Sequence, residues 1–331
     1  MSLFEKLQTV FMLAAIALGF AAGEIWPELG RGASALIAPA LTAMLFGLFL
    51  SIPLRDLKSG FLNFRFTAAS LALNFIWVPI LGWLLGGLFL EDSPALRLGF
   101  IMLLVTPCTD WYLVFTSLAR GNVALSAALL PINLLTQVVL LPVYLIIFSG
   151  LTGRLDLEAL AWSVVLVLVL PFGLAQAVRR FFSDESSFRK TLSGFFSGGQ
   201  FYFLCLAIAA MFASQGAQIK GNPGIFLKLL TPVLLFFFIN FWAGRLTARL
   251  MKFSFPDSVS LSLTTLARNS PIALAIAVTA FPDEPLVALA LVIGPLIELP
   301  VLALISQTLL WMGRRQRQAP NGAMRRRGCD G

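Results

Sequence analysis

Residues 95–118, ALRLGFIMLLVTPCTDWYLVFTSL, form an apolar run interrupted in the middle by Thr106-Pro107-Cys108-Thr109-Asp110. The run is long enough to cross a bilayer, which takes about 20 mostly apolar residues. Proline cannot donate to the preceding turn and clashes with it, and an aspartate at the centre of a spanning helix costs about 2.5–3.5 kcal/mol on the insertion scale. This pattern predicts a helix that enters the membrane, unwinds, and starts again. Residues 258–280, SVSLSLTTLARNSPIALAIAVTA, carry the same signature at Arg268-Asn269-Ser270-Pro271. One proline kink is ordinary in a membrane helix. Two, each packed with polar side chains, point to a matched pair.

Working outward from the two breaks, ten stretches qualify as spans: 8–25, 34–53, 66–90, 95–118, 122–149, 158–178, 194–213, 225–248, 258–280 and 285–312. The stretch 194–213 is the least regular, because Gly and Gln dilute its first half. Dividing the chain at 150 gives a first unit of five helices (1–150) and a second of five (151–313), followed by a basic tail (314–331) expected to be disordered. The interrupted stretches are the fourth and the ninth, so they correspond. An odd number of spans per half turns the second half over in the membrane. Inverted repeats with discontinuous helices that cross at a midplane site are a recurring architecture of secondary transporters. The expected fold is therefore all-α and integral to the membrane, with ten transmembrane helices in two inverted five-helix repeats.

Composition agrees. The chain is 58% hydrophobic and 12% charged with a mean hydropathy of +0.88, against about 25% charged residues in a soluble domain. Basic residues divide by side. Lys6, Arg55, Lys58, Arg65, Arg120, Arg179, Arg180, Arg189, Lys190, Arg245, Arg249, Lys252 and six arginines from Arg314 to Arg327 fall on one side, and Arg31, Arg97, Arg154, Lys220 and Lys228 on the other. By the positive-inside rule both termini are cytoplasmic and the membrane is the cytoplasmic one. The net charge of +8 follows from topology and does not indicate nucleic acid; the tail is attractive at most to anionic lipid head groups.

There is no histidine, so any proton relay runs on carboxylates. Cys108, Cys205 and Cys329 show no paired spacing, which predicts neither a disulfide framework nor a metal site, and no cofactor is implied. No P-loop, nucleotide fingerprint or catalytic triad is present, which argues against an ATP-driven pump and against an enzyme. Of sixteen acids, Asp110 and Glu298 alone fall well inside predicted spans. They are candidate proton- or cation-coupling groups, or else structural partners of Arg268. Cys108 stands just before a half-helix N-terminus, where dipole and open N–H groups favour thiolate; a small buried packing residue is the competing reading. Thr106, Thr109, Asn269 and Ser270 suit a small polar solute or an ion shell, and equally suit backbone groups freed by Pro107 and Pro271. Asn74 and Gln137 are further candidates for a pathway lining, while Asn133, Gln200 and Asn240 read as interhelical glue.

The segments TPCTDWYLVFTSLARGNVALSAALLPINLLTQ (106–137), LARNSPIALAIAV (266–278), VIGPLIELPVLALI (292–305) and LALNFIWVPILGWLLGGLFL (71–90) resemble the bile acid/sodium symporter superfamily, particularly its branch of arsenical-resistance permeases. The resemblance implies a panel and a core domain, with broken helices four and nine crossing at the substrate site. It also implies that a fourth-helix cysteine and a late glutamate matter for transport, roles that fall on Cys108 and Glu298. The branch carries an acid soon after the Arg-Asn of helix nine, where this chain has Ser270-Pro271-Ile272-Ala273-Leu274, and Asp110 appears where the branch is apolar. The acid would then have moved across the crossing. The reading that follows is proton-coupled efflux of arsenite or antimonite, with Cys108 touching the metalloid. The second reading is a sodium- or proton-coupled symporter of a small organic anion met by Arg268. A scaffold or sensor without transport is the third.

Overall fold

The computed structural model describes residues 3–51, 63–108, 111–149, 164–183, 186–220 and 224–318, together with Glu158 and Trp162. Thr109, Asp110 and the tail from 319 to 331 lie outside the described residues. Within them the chain is helical throughout and no strand occurs. The elements are α1 (Leu3–Ile25), α2 (Pro27–Ser51), α3 (Phe64–Phe89), α4 (Pro94–Leu104), α5 (Trp111–Leu118), α6 (Val123–Ser149), α7 (Leu170–Phe181), α8 (Ser187–Lys220), α9 (Gly224–Leu250), α10 (Phe255–Leu266), α11 (Ser270–Ala280) and α12 (Pro285–Gln318).

Among the described residues, six helices are long and apolar enough to cross a membrane: those at Gly32–Leu50, Phe64–Phe89, Val123–Phe148, Ser187–Ser214, Gly224–Leu250 and Pro285–Arg314. The protein is an integral membrane protein. Of the four expected stretches not among them, 8–25 is represented by the shorter apolar helix Ala14–Ile25, 158–178 lies partly outside the described residues, and the other two are interrupted. The runs at 95–118 and 258–280 are each split into two short helices, α4 with α5 and α10 with α11, so neither half is long enough alone. The expected segment 194–213 is one continuous helix of 34 residues, because polar ends extend the apolar stretch in both directions. Residues 314–318 continue α12 as helix instead of joining the tail.

The helices sort by contact into two packing groups. In one, α2 lies along α8, with α1 against α8 and α7 against α2; in the other, α3, α4, α5, α6, α9, α10, α11 and α12 pack on one another, and α11 also touches α2. In lipid there is no hydrophobic drive between helices, so close approach has to come from small residues. Gly19 and Gly23 supply it on α1: a Cβ on either would lie 2.2 Å from a backbone oxygen of α8, that of Ala209 or of Ala213.

Both α3 and α7 contain or follow a π-helical turn, at Leu73–Trp77 and Val165–Val169. Each turn precedes a proline by two residues, Pro79 and Pro171. A proline cannot donate to the carbonyl four residues back, and widening the turn is a common accommodation. The carbonyl so freed in α3 belongs to Phe75, and the Tyr144 hydroxyl of α6 donates to it at 2.5 Å.

The cationic helix ends meet at one end of the second group. Arg65 donates to the Met251 carbonyl, Asn122 donates to Asp257, and Ala119, Arg120, Phe255, Gly313 and Arg314 line a common hollow. Arg120 and Lys252, with φ of 56° and 57°, close α5 and α9 in the left-handed conformation that a helix C-terminus uses to turn its last carbonyls inward. Asp92 and Lys228 form an exposed ion pair at 2.6 Å between the start of α4 and the start of α9. The hydrogen bond and charge of Lys228 hold the Asp92 carboxyl below its usual range.

Candidate functional site

A broken helix leaves carbonyls without donors at the end of its first half and N–H groups without acceptors at the start of its second. In a membrane each must find a protein partner. At the two breaks they find each other. The Cys108 N–H donates to the Ala267 carbonyl at 3.0 Å, and the Asn269 N–H donates to the Thr106 carbonyl at 2.6 Å. Pro107 and Arg268 thus face one another as a two-residue antiparallel bridge, and the two interruptions predicted from sequence cross in contact.

The last carbonyls of α4 are then accounted for in turn. Ile101 accepts from the Val105 N–H, Met102 and Leu103 both accept from the Thr106 hydroxyl at 3.1 and 3.0 Å, and Leu104 accepts from Arg268 Nη1 at 2.8 Å. At the end of α10, Leu263 accepts from the Ala267 N–H and Leu266 from Arg268 Nε at 3.3 Å. Thr265 accepts from both Arg268 Nη2 and the Asn240 amide. Asn269 caps α11, its side chain accepting from the Ile272 N–H at 3.4 Å.

Arg268 is therefore the hub of the crossing. It is 3% exposed, its guanidinium lies 5.5 Å from the centre of the Phe236 ring, and Nη2 also reaches Asn74 Oδ1 at 2.9 Å. Asn74 belongs to the π turn of α3 and is held from behind by Ser70 at 3.4 Å. Glu298, 5% exposed, reaches the crossing from α12 and accepts the backbone N–H of Arg268 at 2.8 Å through Oε1.

Of the residues singled out from sequence, Thr106, Pro107, Cys108, Arg268, Asn269, Ser270 and Glu298 are brought to one place, and Pro271 stands in the first turn of α11 beside them. Cys108 is buried and carries a thiol. The Ser270 hydroxyl is buried with no hydrogen-bond partner. Asn74 joins the site; Gln137 is buried on α6 with neither polar atom of its side chain bonded, as is Asn133 one turn earlier. Sequence reasoning missed Phe236, Ser70 and Tyr144. For Tyr144 a signal existed, since Pro79 had to leave one carbonyl in need of a donor, but nothing local names a residue 65 positions later. Among the described residues no group of three or more Cys, Asp or Glu could hold a metal ion.

A site at which two interrupted helices of an integral membrane protein cross, lined by a thiol, a carboxylate and hydroxyls, is the kind found in secondary transporters. The family model of the sodium bile acid symporter family matches residues 38–222, and the chain belongs to that family, one of transporters. It is 27% identical over 339 residues to the arsenical-resistance protein Acr3 of Corynebacterium glutamicum, covering 94% of this chain and 90% of that one. The Acr3 of Alkaliphilus metalliredigens is 22% identical, with 90% of each covered. Sodium/bile acid cotransporter 7 of Xenopus tropicalis is 22% identical over 80% of this chain and 77% of its own.

Proposed function

We propose that this chain is a secondary active transporter that exports arsenite or antimonite across the cytoplasmic membrane in exchange for protons. The observation that carries the reading is Cys108 buried at the crossing of the two helix breaks, hydrogen-bonded through its own backbone to the opposite break. Similarity to two arsenical-resistance proteins over nine-tenths of the chain supports it.

The architecture proposed with it is ten spans in two inverted repeats, 1–150 and 151–313, with α4/α5 and α10/α11 as the broken helices four and nine. The reciprocity of the bridge supports this: a two-fold relation that exchanges Pro107 and Arg268 also exchanges the Cys108–Ala267 bond with the Asn269–Thr106 bond. The group containing α1, α2, α7 and α8 is then the panel, and the rest the core. Both termini are cytoplasmic, with Arg65, Arg120, Lys252 and Arg314 at that face.

Arsenite is a neutral trihydroxide at physiological pH. Exchange of one hydroxyl for the Cys108 sulfur forms one As–S bond and releases one water, the thiol proton leaving with the departing hydroxyl. A single sulfur holds the metalloid weakly enough to let it go by the reverse step. The Ser270 hydroxyl, whose hydrogen-bonding capacity is unspent, meets a remaining As–OH. Glu298 exchanges the coupling proton, alone or with Asp110. Ionised, it makes a charge-assisted bond to the Arg268 N–H; protonated, it accepts more weakly, and the tie between α12 and the crossing loosens. The organic-anion reading asks Arg268 to meet a carboxylate, yet its guanidinium donates to three carbonyls and Asn74.

An arsenite-sensitive strain lacking its own exporters tests this. The wild-type chain restores growth on arsenite and antimonite, and Cys108→Ser at equal membrane abundance does not. Equal rescue by both would remove the thiol from the mechanism, and rescue by neither would remove arsenite as cargo.

A further inference from the structure

Four oxygens converge on the Arg268 guanidinium: the carbonyls of Leu104, Thr265 and Leu266, and Asn74 Oδ1. The three carbonyls are the terminal groups of α4 and α10, each of which carries the equivalent of about −0.5 charge at its C-terminus. The Glu298 carboxylate lies on the same residue's backbone N–H. Carbonyls at the ends of interrupted helices are the groups with which such transporters hold a coupling cation, and the Asn74 amide oxygen and Glu298 carboxylate add further oxygens at the same place. Here that set of oxygens is already filled. The guanidinium points back from the break into the ends of both first halves, and Phe236 closes the remaining side.

We propose that Arg268 is a tethered cation, filling by covalent attachment the position that an exchangeable alkali cation would take, so that this member of a sodium symporter family binds no sodium at its helix crossing. The chemistry explains why a fixed charge is tolerated there. A guanidinium stays protonated under all physiological conditions, so it neutralises the helix ends through the whole cycle and leaves Glu298 as the group that can change charge. The inference rests on the transporter reading of the crossing and not on the identity of the cargo.

The test is thermal unfolding of the purified full-length chain in detergent, at equal ionic strength in sodium, lithium, potassium and choline chloride, with no arsenite present. The wild type unfolds at one temperature in all four salts. Arg268→Lys, which keeps a tethered cation, is equally indifferent. Arg268→Ala opens the four oxygens: it unfolds earlier in choline and recovers saturably with one small alkali cation, by roughly 3 °C at about ten times the dissociation constant. Saturable sodium-specific stabilisation of the wild type overturns the proposal, as does an Arg268→Ala chain that is folded but blind to every cation. Should Arg268→Ala not fold, the wild-type and Arg268→Lys series decide alone. Failure of arsenite rescue leaves this result unchanged, so the two readings fail separately.

Discussion

At the scale of single residues, the crossing brings groups that hold the backbone together with the groups to which the proposed function assigns chemistry. Thr106, Asn269 and the Arg268 guanidinium spend their capacity on helix ends. Cys108 and Ser270 bring a thiol and an unbonded hydroxyl, and Glu298 stands between, bonded but able to change charge. Glu298→Gln keeps an oxygen for the Arg268 N–H and exchanges a charged acceptor for a neutral one. It should cost about 1 kcal/mol of stability and abolish the dependence of transport on a pH gradient, measured as flux into everted vesicles at two external pH values. A variant that stays gradient-driven would move the coupling proton elsewhere. Most of these residues were legible in advance because polar groups in an apolar run are expensive, and their presence demands a use. Their division of labour was not legible. Arg268 looked like a ligand for an anion, since a sequence does not say that its side chain bends back onto Leu104, Thr265 and Leu266.

At the scale of elements, proline sets the irregularities. Pro107 and Pro271 mark the breaks; Pro79 and Pro171 each follow a π turn. The turn in α3 places Asn74 against Arg268, so a local backbone defect 194 residues away in sequence builds part of the site. Its stability depends on the Tyr144 hydroxyl that satisfies the Phe75 carbonyl. Removing that hydroxyl leaves a buried acceptor unpaired, at a cost of about 1–3 kcal/mol. Tyr144→Phe should lower the unfolding temperature in detergent; an unchanged midpoint would mean the carbonyl finds another donor. The breaks could be read from composition because proline and charge interrupt a periodic apolar signal. The π turns could not, because LALNFIWVPILGW is apolar enough to read as one regular helix.

At the scale of the whole molecule, two packing groups meet chiefly where α11 passes α2. The group containing α1 relies on backbone contact, with Gly23 against the Ala213 carbonyl. Gly23→Leu cannot be absorbed there, since the obstructing atom is main chain, and it should separate α1 from α8. Loss of a monodisperse peak in size-exclusion chromatography would register this; an unaltered peak would show that α1 can shift freely. That the chain is helical and apolar enough for a membrane was legible from hydropathy, and the two breaks that meet at Pro107 and Arg268 from proline and polar residues inside apolar runs. The grouping of helices was not, because it depends on which faces carry small residues against which neighbours. The central claim is that the crossing of α4/α5 with α10/α11 is the transport site. Its most direct test is radiolabelled arsenite accumulation by everted membrane vesicles under an imposed pH gradient, comparing wild type with Cys108→Ser. The account predicts gradient-dependent accumulation in the first and none in the second; accumulation by Cys108→Ser at the wild-type rate would contradict it.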